Sequence, residues 1–216
     1  LKIQVKIDEK NKTLTISDNG IGMTKEEVDK YINQIAFSSA EEFIQKYENK
    51  DDKDNSQIIG HFGLGFYSSF MVAKKVDIIT KSYQKDAEPV KWSCDGNTEY
   101  KFLKAERKER GTDIVLHVYA DAKEYLEEFT ISNLLDKYCR FLPFKIEFGT
   151  EKVKEKIKGK KDKDGKEKER EVERPKVIND THPLWMRKPA EITTQDYKDF
   201  YNQLYPLSQP LLFWLH

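Results

Sequence analysis

The residues of this chain that could do chemistry lie in two glycine-rich clusters, the first of which begins with an acidic residue. The first cluster spans residues 18–24 (DNGIGMT) and begins with Asp18, and the second spans residues 60–66 (GHFGLGF). Glycines let a backbone come close to a ligand and expose its N–H groups, and a helix N-terminus adds partial positive charge that favours an anion. Because an apolar helix is predicted directly after the second cluster, we expect that cluster to bind phosphate.

Asp18 suits a different task, which is the recognition of a base. It follows a predicted strand, so its carboxylate can lie at the floor of a pocket and accept a hydrogen bond from an exocyclic amine such as that of adenine. Leaving such a buried partner unpaired costs about 1–3 kcal/mol, and more for a charge, so the contact would select the base. Neither cluster is a standard phosphate motif, because Phe66 stands where a Walker A loop needs Lys and the third glycine of a dinucleotide fingerprint is missing after Gly65.

Each cluster taken alone also fits a structural role. Asp-Asn-Gly is an ordinary turn, and the glycines around Leu64 suit the start of a closely packed helix. The two clusters together favour a ligand site, because they occur in order with a charged segment between them. Within that segment, residues 48–55 include no apolar side chain. We predict that residues 38–57 are mobile, because they have too few apolar side chains to pack along their length.

Predicted strands and helices surround these clusters. Alternating polar and apolar residues predict a hairpin over residues 1–17, and Thr24 with Glu27 predicts a capped helix after the first cluster. Further strands are predicted at 76–82, 90–94, 100–103, 112–118 and 145–148, and further helices at 67–73, 131–141 and 194–204. Turn-like or charged pieces separate most of the strands, so we expect antiparallel pairing.

Composition excludes several classes of protein. The chain has 216 residues with 38 Lys+Arg and 38 Asp+Glu, and this zero net charge argues against a nucleic-acid partner. Cys94 and Cys139 are far apart, which excludes a disulfide framework or a cysteine zinc site and favours a reducing compartment. No apolar run approaches the roughly 20 residues that span a bilayer, and no signal peptide is visible. We therefore expect a cytoplasmic protein with no membrane partner, and the strand at Leu1 and the apolar end at His216 suggest a fragment.

A strongly charged stretch divides the chain. Residues 151–174 contain 11 Lys or Arg and 8 Asp or Glu in 24 positions. This composition predicts a charged linker or a long solvated hairpin, and both are favoured over a nucleic-acid arm because the two signs nearly cancel. We predict a first domain over 1–150, the linker or hairpin over 151–175 and the start of a second domain over 176–216.

Three motifs resemble the ATP-binding domain of the heat-shock protein 90 chaperones, and the similarity is closest to the bacterial member. They are residues 18–24, 58–68 (IIGHFGLGFYS) and 111–116 (GTDIVL). Residues 183–192 (PLWMRKPAEI) resemble the start of the middle domain of that family. The long glycine motif is highly specific, whereas gyrase, MutL and histidine kinases share the logic of the first motif.

The resemblance implies a GHKL-type α/β fold, an α+β two-layer sandwich whose antiparallel-rich sheet is covered by helices on one face, with ATP or ADP bound there. Asp18 would meet the adenine amine, with Gly22 and Thr112 nearby through water. The base and sugar would contact Met23, Ile32, Phe66 and Ile114. The phosphates would be held by the backbone of Gly60, His61, Phe62, Gly63, Leu64, Gly65 and Phe66. Residues 38–57 would form part of a lid over the nucleotide.

The resemblance also implies a function, the nucleotide-binding part of an ATP-dependent chaperone that remodels client proteins and is a homodimer at full length. The general-base Glu and the Asn that binds Mg²⁺ would precede Leu1, and the Arg that senses the terminal phosphate would follow His216. We therefore assign no catalytic residue or metal ligand within the chain; His61 is expected to serve through its backbone N–H, and Phe37 stands where the family often has Lys. The alternative function is the GHKL ATP-binding domain of a histidine kinase or a MutL/gyrase-type protein.

Overall fold

The computed structural model describes residues 1–34, 64–97, 99–161 and 167–216, with the backbone alone at 156–161 and 167–169. The strands of this part are β1 Lys2–Asp8, β2 Thr13–Asp18, β3 Ala73–Lys81, β4 Val90–Cys94, β5 Tyr100–Lys104, β6 Gly111–Val118, β7 Lys145–Lys161 and β8 Glu167–Val177. The α-helices are α1 Lys25–Ile32, α2 Glu128–Cys139 and α3 Thr194–Leu204. Single 3₁₀ helices lie at Gly65–Met71, Lys123–Leu126, Leu184–Met186 and Pro189–Glu191. No helix within the described ranges is both long and apolar enough to cross a membrane.

The described strands form one sheet in the order β5-β4-β3-β6-β2-β1-β7-β8. Neighbouring strands are antiparallel apart from β1 and β7, which are parallel. This confirms the predicted α/β class and the antiparallel-rich sheet. Strand β6 lies between β2 and β3 although it follows both in sequence, and it therefore brings the end of β2 beside the end of β3.

One face of the sheet holds the core. Val76 and Ile78 alternate with more polar residues along β3 and are buried, as the two-residue period of a strand requires. The helices cover this face with Val28 of α1 and Ile131 of α2, and Val28 is 0% exposed. Fully burying an aliphatic side chain of this size contributes about 1.5–3 kcal/mol, so this face accounts for most of the hydrophobic stabilisation.

The start of α1 has the predicted capping box. The Glu27 backbone N–H donates to Thr24 Oγ1 at 3.2 Å, and the Thr24 N–H donates to Glu27 Oε2 at 2.8 Å. Two N–H groups that the helix leaves without intrahelical partners are thereby satisfied. The cap ends the first glycine cluster at a defined point and directs Val28 into the core.

The segment after the second cluster differs from the prediction. The sequence predicts a helix over 67–73, but the structure has a 3₁₀ helix at Gly65–Met71 and β3 begins at Ala73. The reason is tertiary: the Tyr119 N–H donates to the Val72 carbonyl at 3.0 Å, and Ala73 pairs with Val118 of β6. Sheet pairing therefore takes Val72 and Ala73 away from the helix that local apolar residues favour.

The described part of the charged stretch forms a hairpin that extends the sheet, the second of the two predicted alternatives. Strands β7 and β8 pair antiparallel, with Lys152 opposite Glu173, Lys154 opposite Glu171 and Glu155 opposite Arg170. Opposite charges across the strands stabilise such a pairing by roughly 0.2–1 kcal/mol each, and Arg170 Nη2 lies 3.2 Å from Glu155 Oε2. The domain boundaries themselves stay a prediction.

The other face of the sheet has one buried carboxylate, Asp77, which is 3% exposed. Ser93 Oγ donates to its Oδ1 at 2.7 Å, and His117 Nε2 lies 2.9 Å from its Oδ2. Lys75 Nζ and Lys91 Nζ lie 3.2 and 3.0 Å from the same carboxylate. Burial alone would raise the pKa of Asp77, but these four partners together outweigh burial and hold that pKa well below its ordinary value.

Replacing Asp77 with Asn is therefore expected to destabilise the fold by about 1–3 kcal/mol, because two lysines lose their shared counter-ion while remaining partly screened by water. The folded-state pKa lies below the unfolded value of about 3.8. The stabilisation is thus complete above that pH and is lost as the pH falls towards the folded-state pKa. Urea unfolding at neutral and acid pH measures the free energy of unfolding of the wild type and of Asp77→Asn. The difference between the two should shrink in acid, and a difference that stays constant would contradict the prediction.

Candidate nucleotide-binding site

The candidate site is built around Asp18, the last residue of β2. Asp18 pairs with Thr112 of β6, and Thr112 pairs with Thr80 of β3, so the three side chains lie in one row across the core face of the sheet. Asp18 is half-buried, and its Oδ1 accepts a hydrogen bond from the Gly20 N–H at 2.8 Å. The row lies where β2 and β3 end and β6 begins, and it brings polar groups together beside the apolar side chains of this face.

The electrostatics of Asp18 suit a hydrogen-bond acceptor for a ligand. Burial raises the pKa of Asp18 above its ordinary value, although backbone hydrogen bonds from Gly20 and Thr112 and the charge of Arg107 oppose that rise. The carboxylate is therefore poorly solvated in the folded protein. A ligand amine that donates to it replaces little water, which makes the bond more favourable than one at an exposed carboxylate.

The hydroxyl of Thr80 holds the first glycine cluster against the sheet. Thr80 is 0% exposed, and its Oγ1 accepts from the Met23 N–H at 2.9 Å. The same oxygen lies 3.1 Å from the Gly111 carbonyl, to which it donates, and 3.0 Å from Thr112 Oγ1. The Tyr83 N–H adds a hydrogen bond to the Ile21 carbonyl at 2.7 Å. These bonds fix the loop that follows Asp18 beside β3 and β6.

Gly22 makes this close approach possible. Its φ is +63°, and a Cβ at this position would lie 1.8 Å from the Lys81 carbonyl oxygen and 3.1 Å from the Gly111 nitrogen. No side chain fits there unless the backbone moves. The glycine at this position of the first cluster is therefore required by packing next to Asp18.

The apolar residues predicted to contact the base and sugar lie on the same side of the sheet. Met23, Ile32, Phe66 and Ile114 are each partly buried and pack against the core cluster. Ile114 pairs with Ile78, and Ile78 pairs with Trp92, which lies 5.7 Å from the Phe66 ring between ring centroids. These contacts place apolar surface beside the polar row, the combination that a nucleoside needs.

Only the end of the second glycine cluster lies in the described part of the chain. Leu64 and Gly65 are exposed, and Gly65 opens the 3₁₀ helix that leads into β3. The predicted phosphate-binding residues Gly60, His61, Phe62 and Gly63 lie outside the described residues, as do Phe37 and the predicted lid at 38–57. Their roles stay predictions.

The described surface also has a groove on the other face of the sheet. This groove of about 900 Å³ is lined by Thr15, Ser17, Asp113 and Val115, which alternate with the core-face residues. Asp18 and Arg107 line it as well, so the groove adjoins the site described above from behind. Within the described ranges, no group of three or more His, Cys, Asp and Glu residues is arranged to hold a metal ion.

Sequence reasoning missed two residues that the structure places at this site, Thr80 and Arg107. The Arg107 Nη2 donates to the Asp18 carbonyl at 3.0 Å. Neither residue belongs to a motif. Arg107 reaches Asp18, and Thr80 reaches the loop that follows it, because β6 pairs with both β2 and β3. The sequence signal for Thr80 is a threonine near the end of an apolar strand, a pattern that is also common in sheets that have no ligand site.

The fold and this arrangement agree with the comparison to known protein families. Residues 1–114 match the family model described as histidine kinase-, DNA gyrase B- and HSP90-like ATPase, so this chain belongs to that family. Residues 150–216 match a second model, described as Hsp90 protein. The second match favours the heat-shock protein 90 branch over the histidine kinase and gyrase alternative.

Individual relatives point to the same branch. The chain is 53% identical over 216 residues to the chaperone protein HtpG of Porphyromonas gingivalis, covering 100% of this chain and 30% of that protein. It is 57% identical over 204 residues to the HtpG of Bacteroides fragilis, covering 94% and 28%. The HtpG of Idiomarina loihiensis is 36% identical over 218 residues, covering 100% and 33%. The chain thus spans about a third or less of the length of these relatives.

Proposed function

We propose that this chain is the nucleotide-binding part of an ATP-dependent, HtpG-type chaperone of the cytoplasm. The observation that supports this most is the row of Asp18, Thr112 and Thr80 at the end of the core face, with Gly22 packed against it. Such a row presents one half-buried carboxylate beside apolar surface, and the two buried hydroxyl groups behind it hold the surrounding backbone in place. Residues 1–150 would form the nucleotide-binding domain and 176–216 the start of the middle domain.

The residues of this chain would bind and orient the nucleotide. Asp18 accepts the hydrogen bond of the adenine amine, and the poorly solvated carboxylate rejects bases that present a carbonyl there. The glycine cluster at 60–66 offers backbone N–H groups to the phosphates. A bound Mg²⁺ would neutralise phosphate charge.

In the cell, we infer that nucleotide binding at this site drives the conformational cycle of a homodimer that acts on client proteins. Clients present exposed apolar surface when they are partly unfolded, and a nucleotide-controlled dimer can bind and release such surface. Dimerisation and client contacts belong to the full-length protein.

Calorimetry with ADP and with GDP, together with a client assay, tests the proposed function in the full-length protein. We expect ADP to bind much more tightly than GDP, because guanine places a carbonyl where adenine has its amine. ATP should increase the recovery of a thermally unfolded model enzyme, and ADP should not. Equal affinity for the two nucleotides would contradict the proposed base site, and nucleotide-independent recovery would contradict the chaperone cycle.

A further inference from the structure

Arg107 joins three parts of the chain at the back of the Asp18 site. Its Nη2 donates to the Asp18 carbonyl at 3.0 Å, its Nε donates to the Glu109 carbonyl at 3.0 Å, and its Nη1 forms an ion pair with Asp113. The Arg107 side chain is 16% exposed and that of Asp113 is 26% exposed. A mostly buried guanidinium with partners on three sides has little freedom, so it fixes the end of β2 relative to β6.

The backbone near Arg107 is shaped to admit this contact. Gly111 has φ +123°, and a Cβ there would lie 2.2 Å from the Asp18 carbonyl oxygen and 2.8 Å from Arg107 Nη2. A side chain at this position would separate the guanidinium from β2. The absence of one lets Arg107 reach the peptide group of the residue that is proposed to read the base.

The charges around Asp18 leave Arg107 as its principal cationic neighbour among the described residues. Arg107 lowers the pKa of Asp18, Asp113 raises it, and burial raises it most. Arg110 lines the same groove as Asp18 and Arg107 but is not among the main contributors to the pKa of Asp18. Two lysines near this end of the sheet are engaged elsewhere. Lys2 Nζ lies 3.1 Å from Glu147 Oε2, and Lys81 Nζ donates to the Lys108 carbonyl at 3.1 Å.

We propose that Arg107 is a positioning residue that sets the selectivity of the site for adenine, by holding the Asp18 peptide in place and its carboxylate in the charged form. The proposal rests on the proposed function of Asp18. A charged carboxylate accepts from the 6-amino group of adenine and repels the 6-carbonyl group of hypoxanthine. A protonated carboxyl group can instead donate to that carbonyl, so a loss of Arg107 should relax the discrimination between the two bases.

The test compares the affinities of ADP and inosine diphosphate for the full-length protein as a function of pH, from the lowest pH at which the protein stays folded up to neutral pH. In Arg107→Gln, we expect the ratio of the two affinities to fall about fivefold, as for a lost charge-assisted contact. The pH below which ADP affinity declines should move upwards. Arg107→Lys keeps the charge but loses the forked geometry, and it should restore the pH profile and only part of the ratio.

Arg140→Gln is the matched control. Arg140 is 23% exposed and is paired with Asp136 on α2, so its loss removes a comparable ion pair away from Asp18. It should leave both the ratio and the pH profile as in the wild type.

The outcomes separate this inference from the proposed function. If Asp18→Asn leaves ADP binding unchanged, the proposed base site is wrong. If Asp18→Asn weakens ADP binding but Arg107→Gln leaves the ratio and the pH profile unchanged, only the role of Arg107 is wrong. Equal weakening of both nucleotides by Arg107→Gln would also overturn the inference, because it would indicate a general structural role. If Arg107→Gln fails to fold, the ratio of the ADP and inosine diphosphate affinities is measured in Arg107→Lys instead. A ratio equal to that of the wild type would then contradict the proposed role of the Arg107 guanidinium group.

Discussion

Replacing Asp18 with Asn is expected to weaken ADP binding by about 10- to 100-fold, the loss typical of a hydrogen bond to a charged group. The Asn oxygen can still accept from the Gly20 N–H, so the loop that follows should keep its conformation. The substitution removes the negative charge of the poorly solvated Asp18 carboxylate, and with it the charge-assisted hydrogen bond to the ligand amine. Isothermal calorimetry on the full-length protein measures the change.

The same substitution is expected not to destabilise the ligand-free protein. Because burial raises the pKa of Asp18 above its ordinary value, the charged form opposes folding, and stability falls as the pH rises through that interval. Asn removes this unfavourable charge, so the midpoint of urea unfolding near neutral pH should be equal to or higher than that of the wild type. ADP affinity of the wild type should decline as the pH falls through the raised pKa, and that decline should be absent in Asp18→Asn.

Asp77→Asn is the control for this experiment, because it removes a carboxylate from the opposite face of the same sheet. It should lower the free energy of unfolding and leave ADP affinity unchanged under conditions where the protein is folded. The two variants are thus expected to have opposite effects. If Asp18→Asn lost stability and kept its affinity for ADP, Asp18 would be a structural residue.

Replacing Gly22 with Ala is expected to cost at least about 3 kcal/mol in the free energy of unfolding. The methyl group would lie 1.8 Å from the Lys81 carbonyl oxygen, and the backbone at φ +63° already disfavours a side chain. Relief requires the loop to leave β3, which breaks the bond between Met23 and Thr80. Nucleotide affinity should fall with stability, since the loop lies directly beside Asp18.

Gly65→Ala provides the matched comparison, because a Cβ at Gly65 has no neighbour within 4 Å. This variant should leave the free energy of unfolding within about 1 kcal/mol of the wild type, because the added methyl group meets no neighbour and the unfolded chain becomes slightly stiffer. Urea unfolding of the two variants side by side measures the difference. Similar stabilities for both would show that the loop at Gly22 yields easily and that its close packing does not contribute.

Much of the local structure followed from the sequence because its causes are local. Alternation predicted the first hairpin, and Thr24 with Glu27 predicted the capping box that the structure confirms. Spacing also placed Asp18 at a strand end before a glycine loop, which is the geometry found. A strand period, a cap and a turn each depend on residues within a few positions of one another.

Long-range pairing decided what the sequence left open. Strand β7 pairs with β1 in parallel, and this continues the sheet into the charged stretch as a hairpin, where composition alone fitted a linker equally. Pairing with β6 drew Ala73 into a strand where local apolar residues favoured a helix. In both cases the competing local structures differ little in free energy, so hydrogen bonds to a distant strand determine the outcome.

The sequence by itself singled out Asp18 as the residue proposed to read a base, because a carboxylate between a strand and a glycine loop is a local pattern. Only the tertiary structure determined what holds it in place. Arg107 contacts the Asp18 carbonyl from 89 residues along the chain, and Thr80 holds Met23 of the loop that follows Asp18 from 57 residues along the chain. Both contacts depend on the placement of β6 between β2 and β3. The physical reason is that a side chain is positioned by neighbours in space, and strand order, which no local pattern encodes, decides which neighbours those are.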